Sequence, residues 1–448
     1  MRTQPGASST DRASKSCMSG SAYDVLIIGA GMAGLTAARA LAEAGLRVLV
    51  LEAQDRIGGR ILTQRVGDEV VELGAEFIHG RPPELWDLVK EAGLTVRERD
   101  GSQVCFEDGG LKKCSEEVDE ASQPLEDLKG FRGEDISFAE YIDRKQISGE
   151  ERTEIIGYVE GFNAADHRQM SAAALAVQQK AEDAIDGDRL YHLVGGYDQL
   201  PQYLGSRIAE AGGEIRLNEN VQQVHWRAGH VEAVTSNGSF TAQRAIVAVP
   251  LGVLQSRRIS ITPAPEAVLA AAAQLRMGNV RRFTLLFRER FWRRLAPQPA
   301  LADLSFLFAF DQMPPVWWTP RPEPGNSLTG WVGGPRSAVL AEVDNAELGR
   351  KACATLAHIF SLPAEQIQHQ LLGCYTHDWQ NDPFTLGAYS YVATGGLDAS
   401  RKMTEPLSHT LYFAGEHTDI TGHWGTVHAA MRSGLRAATQ ILNSPIAG

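Results

Sequence analysis

The sequence predicts an α/β protein: a doubly wound parallel sheet assembled from discontinuous segments, with an α+β unit inserted into it. Three observations carry this expectation. A strand, a glycine-rich turn, a helix and a second strand open the chain between Asp24 and Glu52. Strand-like runs return after Gly195, following a long stretch of helical and charged sequence. The chain then closes on another strand, glycine-rich turn and long helix over residues 410–442.

Residues 1–22 are rich in Ser, Thr, Gly and Ala and hold no apolar stretch, so they predict a disordered tail and not a signal peptide. Residues 24–29 (DVLIIG) are a short apolar run ending in glycine, the pattern of a buried strand. Residues 32–44 are rich in Ala and Leu and predict a helix, with Gly45 suited to its C-terminal cap. Residues 47–52 (RVLVLE) are a second buried strand and complete a β-α-β unit. Between residues 85 and 191 come charge clusters such as 116–120 and helical stretches such as 171–184. Strands are expected again at 214–217, 221–226, 231–236 and 245–249, and a mixed segment from 261 to 374 holds another at 283–287. The predicted division is a sheet domain from 23–84, 192–260 and 380–448, with an inserted domain from 85–191 and 261–379.

The chain has 448 residues, 43% hydrophobic and 22% charged, an ordinary balance for a globular protein of two domains. Its net charge of −12 argues against nucleic acid as a partner, because a phosphate-binding surface must be cationic. The charge is compatible with cationic ligands. No apolar run approaches the roughly 20 residues of a membrane span. The five cysteines, Cys17, Cys105, Cys114, Cys353 and Cys374, are odd in number and scattered. They predict reduced thiols and a cytoplasmic setting, with neither a disulfide frame nor a zinc site.

Gly29-Ala30-Gly31-Met32-Ala33-Gly34 fits G-x-G-x-x-G between the first strand and its helix. The first glycine permits the tight turn, the second lets backbone approach a pyrophosphate, and the third lets helix and strand pack closely. The helix N-terminus adds free N–H groups and a partial positive charge. Glu52 follows Gly34 by roughly 18 residues at the end of the second strand, where a carboxylate binds ribose hydroxyls. A carboxylate there repels a 2′-phosphate and disfavours NADP. This is a Rossmann-type dinucleotide site. Ala53 continues from it into Arg56-Ile57-Gly58-Gly59-Arg60, where two glycines expose amides and either arginine can offer a planar fork to phosphate.

From Asp24 to Arg60 without a gap, the sequence resembles the flavin amine oxidase superfamily, whose FAD signature continues from the dinucleotide fold into a G-G-R loop. Further stretches are similar in family order. Residues 72–80 (ELGAEFIHG), with Gly74, Ala75, Glu76, Phe77 and His79, resemble the segment that runs past the flavin ring in polyamine oxidases. Residues 221–224, starting at Val221, resemble the strand that holds the adenine, and 249–254 (VPLGVL) resemble a turn of polyamine oxidases and lysine-specific histone demethylases. Residues 379–391, from Trp379 to Tyr391, are similar to a ring-facing segment. Residues 412–417, with Gly415 and Glu416, and 425–430, with Thr426 and Val427, resemble the closing FAD motif. His417, Asp419 and His423 have loosely ligand-like spacing but lie inside that motif, so no metal is expected.

Two departures from the family pattern bear on chemistry. Covalent members tether the flavin through a cysteine at the place held here by Ala388, so the resemblance implies non-covalent FAD. The family usually carries a lysine, water-linked to flavin N5, where this chain has Arg282 in Met277-Gly278-Asn279-Val280-Arg281-Arg282-Phe283. Arginine does not deprotonate in proteins, so the exchange affects oxygen reactivity and proton handling. Strand alternation puts Arg281 on the opposite face.

The resemblance implies oxidation of a neutral amine to an imine by hydride transfer to FAD, hydrolysis to a carbonyl compound and a smaller amine, and reduction of molecular oxygen to hydrogen peroxide. Family sites flank the amine with two aromatic residues. Tyr389 matches one; Thr426 replaces the other, and Trp379 or Trp424 is the candidate to complete the cage. Glu76 and His79 are candidates for the distal nitrogen of a substrate, and Glu160 and Asp166 lie on a stretch similar to a helix bordering the cavity. Glu76-Phe77 stands where amino-acid oxidases place an arginine for the carboxylate, which disfavours α-amino acids. A polyamine or secondary amine is the expected substrate. A monoamine oxidase, a desaturase-like dehydrogenase with another acceptor and a redox-weakened scaffold are the rivals, and a homodimer is compatible with the sequence.

Overall fold

The computed structural model describes residues 23–114 and 123–444. The predicted tail, Cys17 and the 116–120 charge cluster lie outside the described residues.

Apolar runs with no polar face pair into a sheet buried on both sides. Tyr23–Ile28 lies parallel between Val48–Leu51 and Gly238–Val247, with Val25 level with Val48 on one side and Arg244 on the other. Glu214–Arg216 extends the sheet past Val48–Leu51, and Leu411–Phe413 pairs parallel to the end of Gly238–Val247. The start of Gly238–Val247 instead joins an antiparallel meander with His230–Thr235 and Val221–Arg227. With Ser260–Thr262 these strands make one eight-stranded sheet. The N-terminal helix Met32–Glu43 and the C-terminal helix Val427–Leu442 pack together beside it. Gly434 makes that contact possible, because a Cβ there would stand 2.2 Å from the Ala33 carbonyl oxygen.

A second, seven-stranded sheet runs in the order Leu371–Tyr375, Val280–Phe287, Ser327–Gly333, Val316–Trp318, Leu304–Phe308, Ser102–Glu107 and Gly110–Lys113. Ser102–Glu107 comes from the earlier part of the chain and pairs parallel with Leu304–Phe308. Val280–Phe287 is buried along its whole length. Helix Asn345–Phe360 packs Leu348, Ala352, Leu356 and Ile359 into the core of this sheet at helical spacing. Fully burying a Leu-sized side chain is worth about 1.5–3 kcal/mol, so this stripe fixes the helix on the sheet.

Four helices, Gln123–Leu128, Phe138–Arg144, Gly149–Asn163 and Ala172–Asp183, share a further core around Leu128, Phe138, Ile142, Val159 and Leu175. The last matches the helix expected at 171–184. It starts where it does because the Ser171 hydroxyl accepts from the Ala174 amide and caps its N-terminus. No helix among the described residues is long and apolar enough to cross a membrane.

The structure corrects the cysteine reading. Cys105 and Cys114 form a disulfide, with Cα atoms 5.1 Å apart. Strand register is the cause. Cys105 on Ser102–Glu107 lies level with Lys112 of the antiparallel Gly110–Lys113, and the Cys114 amide, bonded to the Gln103 carbonyl, brings the two thiols together across the hairpin. Cys353 and Cys374 are free thiols in or against the core of the second sheet.

Candidate active site

The two sheets and the helical core enclose one cavity of about 1410 Å³ that runs from the glycine-rich turn to the aromatic side of the second sheet. It exceeds the roughly 300–1,000 Å³ of most small-molecule sites, so it has room for a dinucleotide and a second molecule. Of the site residues expected from sequence, Gly34, Arg56, Glu160 and Asp166 stand outside its wall and the others line it.

At the first end, Gly29 has φ +105°, and a Cβ there would stand 2.8 Å from the Ala248 carbonyl oxygen. A Cβ on Gly34 would stand 2.0 Å from the Gly29 carbonyl oxygen, so Gly34 serves packing. A Cβ on Gly31, by contrast, meets nothing within 4 Å, and Gly31 lines the cavity. The helix beginning at Met32 has no side-chain cap, which leaves its first amides available to a ligand. Glu52 accepts the Ala30 amide at 2.7 Å and the Gln54 amide at 2.9 Å. Burial raises its pKa, and these amides partly offset the effect. An open glycine cradle, an uncapped helix and an anchored carboxylate are the donor set that fits a dinucleotide.

Arg60, not Arg56, reaches the cavity. Its guanidinium donates to the Ala388 carbonyl and to Glu416, each at 2.9 Å. Arg56 donates to the Ile61 carbonyl at 3.1 Å, and burial lowers its pKa. Glu416 also accepts from the Ser390 hydroxyl at 2.6 Å and the Gly425 amide at 3.0 Å. Burial opposes its charge, but Arg60, His417 and Ser390 outweigh that, and its pKa lies below the ordinary carboxylate value. Thr426 caps the C-terminal helix: its hydroxyl accepts the Ala429 amide at 3.1 Å and donates to the His423 carbonyl at 2.8 Å.

Arg282 projects from Val280–Phe287 toward the cavity, where it pairs with Glu76 and donates to the Gly74 carbonyl at 2.6 Å. Arg281 points the other way, to the Val343 carbonyl at 3.1 Å. Glu76 also accepts the Trp318 indole N–H at 3.0 Å. Burial opposes the charge of Glu76, yet Arg282, His192, Arg99 and Trp318 outweigh it, and its pKa is lowered. Glu76 is therefore a neutralised partner of Arg282, not a free carboxylate. His79 packs edge-on to Phe162 with ring centres 5.5 Å apart, and burial pushes its pKa down to about 4, so it is uncharged.

The three aromatic candidates are anchored differently. The Tyr389 hydroxyl donates to the Phe162 carbonyl at 2.7 Å, and its ring lies where a Cβ on Gly425 would come within 2.9 Å. The Trp379 indole donates to the Leu73 carbonyl at 2.8 Å. Trp424 donates to the Ser400 hydroxyl and the Asp419 carbonyl, both at 2.9 Å. Glu160 and Asp166 lie outside the wall: Glu160 bonds His167 at 2.6 Å and Asp166 is clasped by Arg168 at 2.9 Å. His423 is engaged by Arg432 at 2.7 Å and the Ala181 carbonyl at 3.0 Å.

Several wall residues were missed from sequence. Phe306, Phe308 and Phe310 form an aromatic row whose period-two spacing was the available signal. Glu182, Asp183, Asp186 and Asp188 form an acidic stretch of wall. Both Glu182 oxygens are buried without a partner, and burial pushes its pKa up to about 7.

Residues 32–442 match the family described as flavin containing amine oxidoreductase. The chain is 29% identical to lysine-specific histone demethylase 1 homolog 2 of Oryza sativa subsp. japonica over 94% of its own length, but it spans only 57% of that relative. It is 27% identical to polyamine oxidase 3 of the same organism, covering 93% of this chain and 88% of that one. The solved structure of wild-type putrescine oxidase bound to putrescine superposes with a TM-score of 0.81 over 94% of this chain and 99% of that one, at 23% identity, which is a likeness of fold. Ala388 offers no thiol to a cofactor, and neither free cysteine of the described residues lines the cavity. The match over nearly the whole described chain and the open dinucleotide cradle agree: the chain belongs to the flavin-containing amine oxidoreductase family and is an FAD-dependent enzyme.

Proposed function

We propose that this enzyme oxidises a primary or secondary amine to an imine, which hydrolyses to a carbonyl compound and an amine, with oxygen reduced to hydrogen peroxide. The observation that carries the reading is the continuity of one cavity from the glycine cradle to a buried chamber around Tyr389, His79 and Trp318. FAD, when bound, supplies the two-electron acceptor. Gly29, Gly31 and the uncapped helix would hold its pyrophosphate, Glu52 a ribose, Val221 the adenine end, and Gly415, Glu416, Thr426 and Val427 the flavin end. Asp186 and Asp188 draw cationic amines toward the wall. The uncharged His79 and the aromatic side chains then favour the amine in its neutral form, because a buried unpaired ammonium is costly. Tyr389, pinned through its hydroxyl, presents a fixed ring to the substrate. With Glu76 neutralised, the expected carboxylate for a second substrate nitrogen is not free, so the chamber favours one amine centre over a polyamine.

A second reading concerns the acceptor. Arg282 is clasped by Glu76 and the Gly74 carbonyl, and a guanidinium does not deprotonate in proteins and so cannot relay a proton, which favours a dehydrogenase using an acceptor other than oxygen. Anaerobic mixing of the flavoprotein with benzylamine, tyramine, putrescine, spermidine and spermine tests the amine reading, because a substrate bleaches the flavin band. Re-oxidation by air or by an artificial quinone separates the two acceptors. No bleaching with any amine would overturn the proposal.

A further inference from the structure

The far arm of the cavity is a slot with two aromatic walls. On one side Phe306, Phe308 and Phe310, alternate residues of Leu304–Phe308 and its continuation, turn the same way. Their rings stack at 5.8 Å and 5.6 Å. On the other side, helix Gly149–Asn163 presents Gly157, Tyr158, Gly161 and Phe162 to the cavity, with the last two aromatic rings parallel to within 6° and 5.6 Å apart. Helix interiors disfavour glycine, and neither Gly157 nor Gly161 has the positive φ that would require it. Packing does not require it either, and both border open space. A Cβ on Gly161 would meet nothing within 4 Å, and one on Gly157 would meet only the Phe310 ring edge at 3.9 Å. The two lie one turn apart on one face and leave a trough in the helix surface. The Trp331 indole donates to the Gly161 carbonyl at 2.9 Å and ties the helix to the sheet, fixing the slot's width.

We propose that this slot selects amines bearing a flat aryl or arylalkyl substituent over linear aliphatic di- and polyamines. The proposal rests on the amine reading above. A planar apolar group between two ring-lined walls replaces water with close contact on both faces. A second ammonium in the same place would lose its hydration and find only weak counter-charge, because Glu76 already serves Arg282 and Trp318 and burial holds the unpartnered Glu182 toward its neutral form, with its pKa pushed up to about 7. Attraction to the ring faces returns part of that loss, but the Trp318 ring already takes the Arg282 guanidinium, 5.5 Å from its centre.

The test compares kcat/KM for 2-phenylethylamine and N-methylbenzylamine with that for hexylamine, putrescine and spermidine, in the wild-type holoenzyme and in Gly161→Leu and Phe308→Ala. Wild-type enzyme is expected to favour the aryl amines at least tenfold. Both variants should cut that ratio at least tenfold while retaining bound flavin. Gly161→Ala, which favours the helix, should cut it less. Calorimetric binding of 2-phenylethanol to the oxidised holoenzyme supplies a readout independent of turnover and should weaken at least fivefold in Gly161→Leu. Polyamines turned over faster than aryl amines, or variants that slow both classes alike, would overturn the slot. If no amine bleaches the flavin but phenylethanol binding is still lost in Gly161→Leu, the amine reading fails and the slot stands.

Discussion

Arg282 and Glu76 meet in the wall between Val280–Phe287 and Phe77–His79, both almost wholly removed from water. Breaking such a pair leaves one buried charge without compensation. Glu76→Gln should therefore destabilise the enzyme by about 3–5 kcal/mol in a denaturant titration, more than Arg282→Met combined with Glu76→Gln. Arg282→Lys should raise oxygen-dependent peroxide output, read by a coupled peroxidase assay; unchanged output would count against a role for Arg282 in choosing the acceptor. Glu72 supplies a pH signature. It accepts from the Thr63 hydroxyl and the Tyr197 amide, both at 2.7 Å, and burial pushes its pKa up from 4.5 to about 7. Between those values the folded state holds a proton that the unfolded state has released, so this group's contribution to stability falls as pH rises from about 4.5 to about 7. Thermal melts should show that loss in wild type and a flatter profile in Glu72→Gln. Much at this scale was legible in the sequence. Alternation along a strand separated Arg281 from Arg282, and the glycine motif located Glu52. The partner of Arg282 was not legible, because strands distant in sequence pair it with Glu76 only in three dimensions. Arg56 and Arg60 could not be ranked for the same reason: Arg60 faces the cavity because Glu416 and Ala388, far along the chain, receive it.

The glycine-rich turn shows how one element divides its labour. Gly31 faces open cavity and Gly34 faces backbone. Gly31→Val should give a folded protein that purifies without FAD, whereas Gly34→Val should fail at folding, and circular dichroism with flavin absorbance tells the two apart. Thr426→Val removes the cap of the C-terminal helix and should cost about 1 kcal/mol, measured by denaturation of the apoprotein. The opening β-α-β unit was readable because its apolar runs, glycines and helix signals are all local. The hairpin that joins Cys105 to Cys114 was not, because a count of cysteines carries no register. The Phe306, Phe308 and Phe310 row was written in the sequence as alternation, yet alternation does not say which face borders a cavity. Glycines 157 and 161 likewise acquire meaning only from the strand opposite.

At the scale of the molecule, the cavity is made by folding distant segments together. Residues near 30, 52, 74, 221, 282, 389 and 426 all reach its wall. A ligand that bridges so many segments stabilises the folded state by mass action, by about 4 kcal/mol at a thousandfold excess over its dissociation constant. Stripping FAD should lower the melting temperature, and adding it back should restore it. The most direct test is an anaerobic titration of the purified protein with an amine, followed at the flavin absorbance band. The expected result is a yellow protein whose FAD is released intact by acid and whose band bleaches stoichiometrically with a substrate amine. A protein that is colourless and refuses reconstitution with FAD, or a yellow one that no amine bleaches, would contradict it.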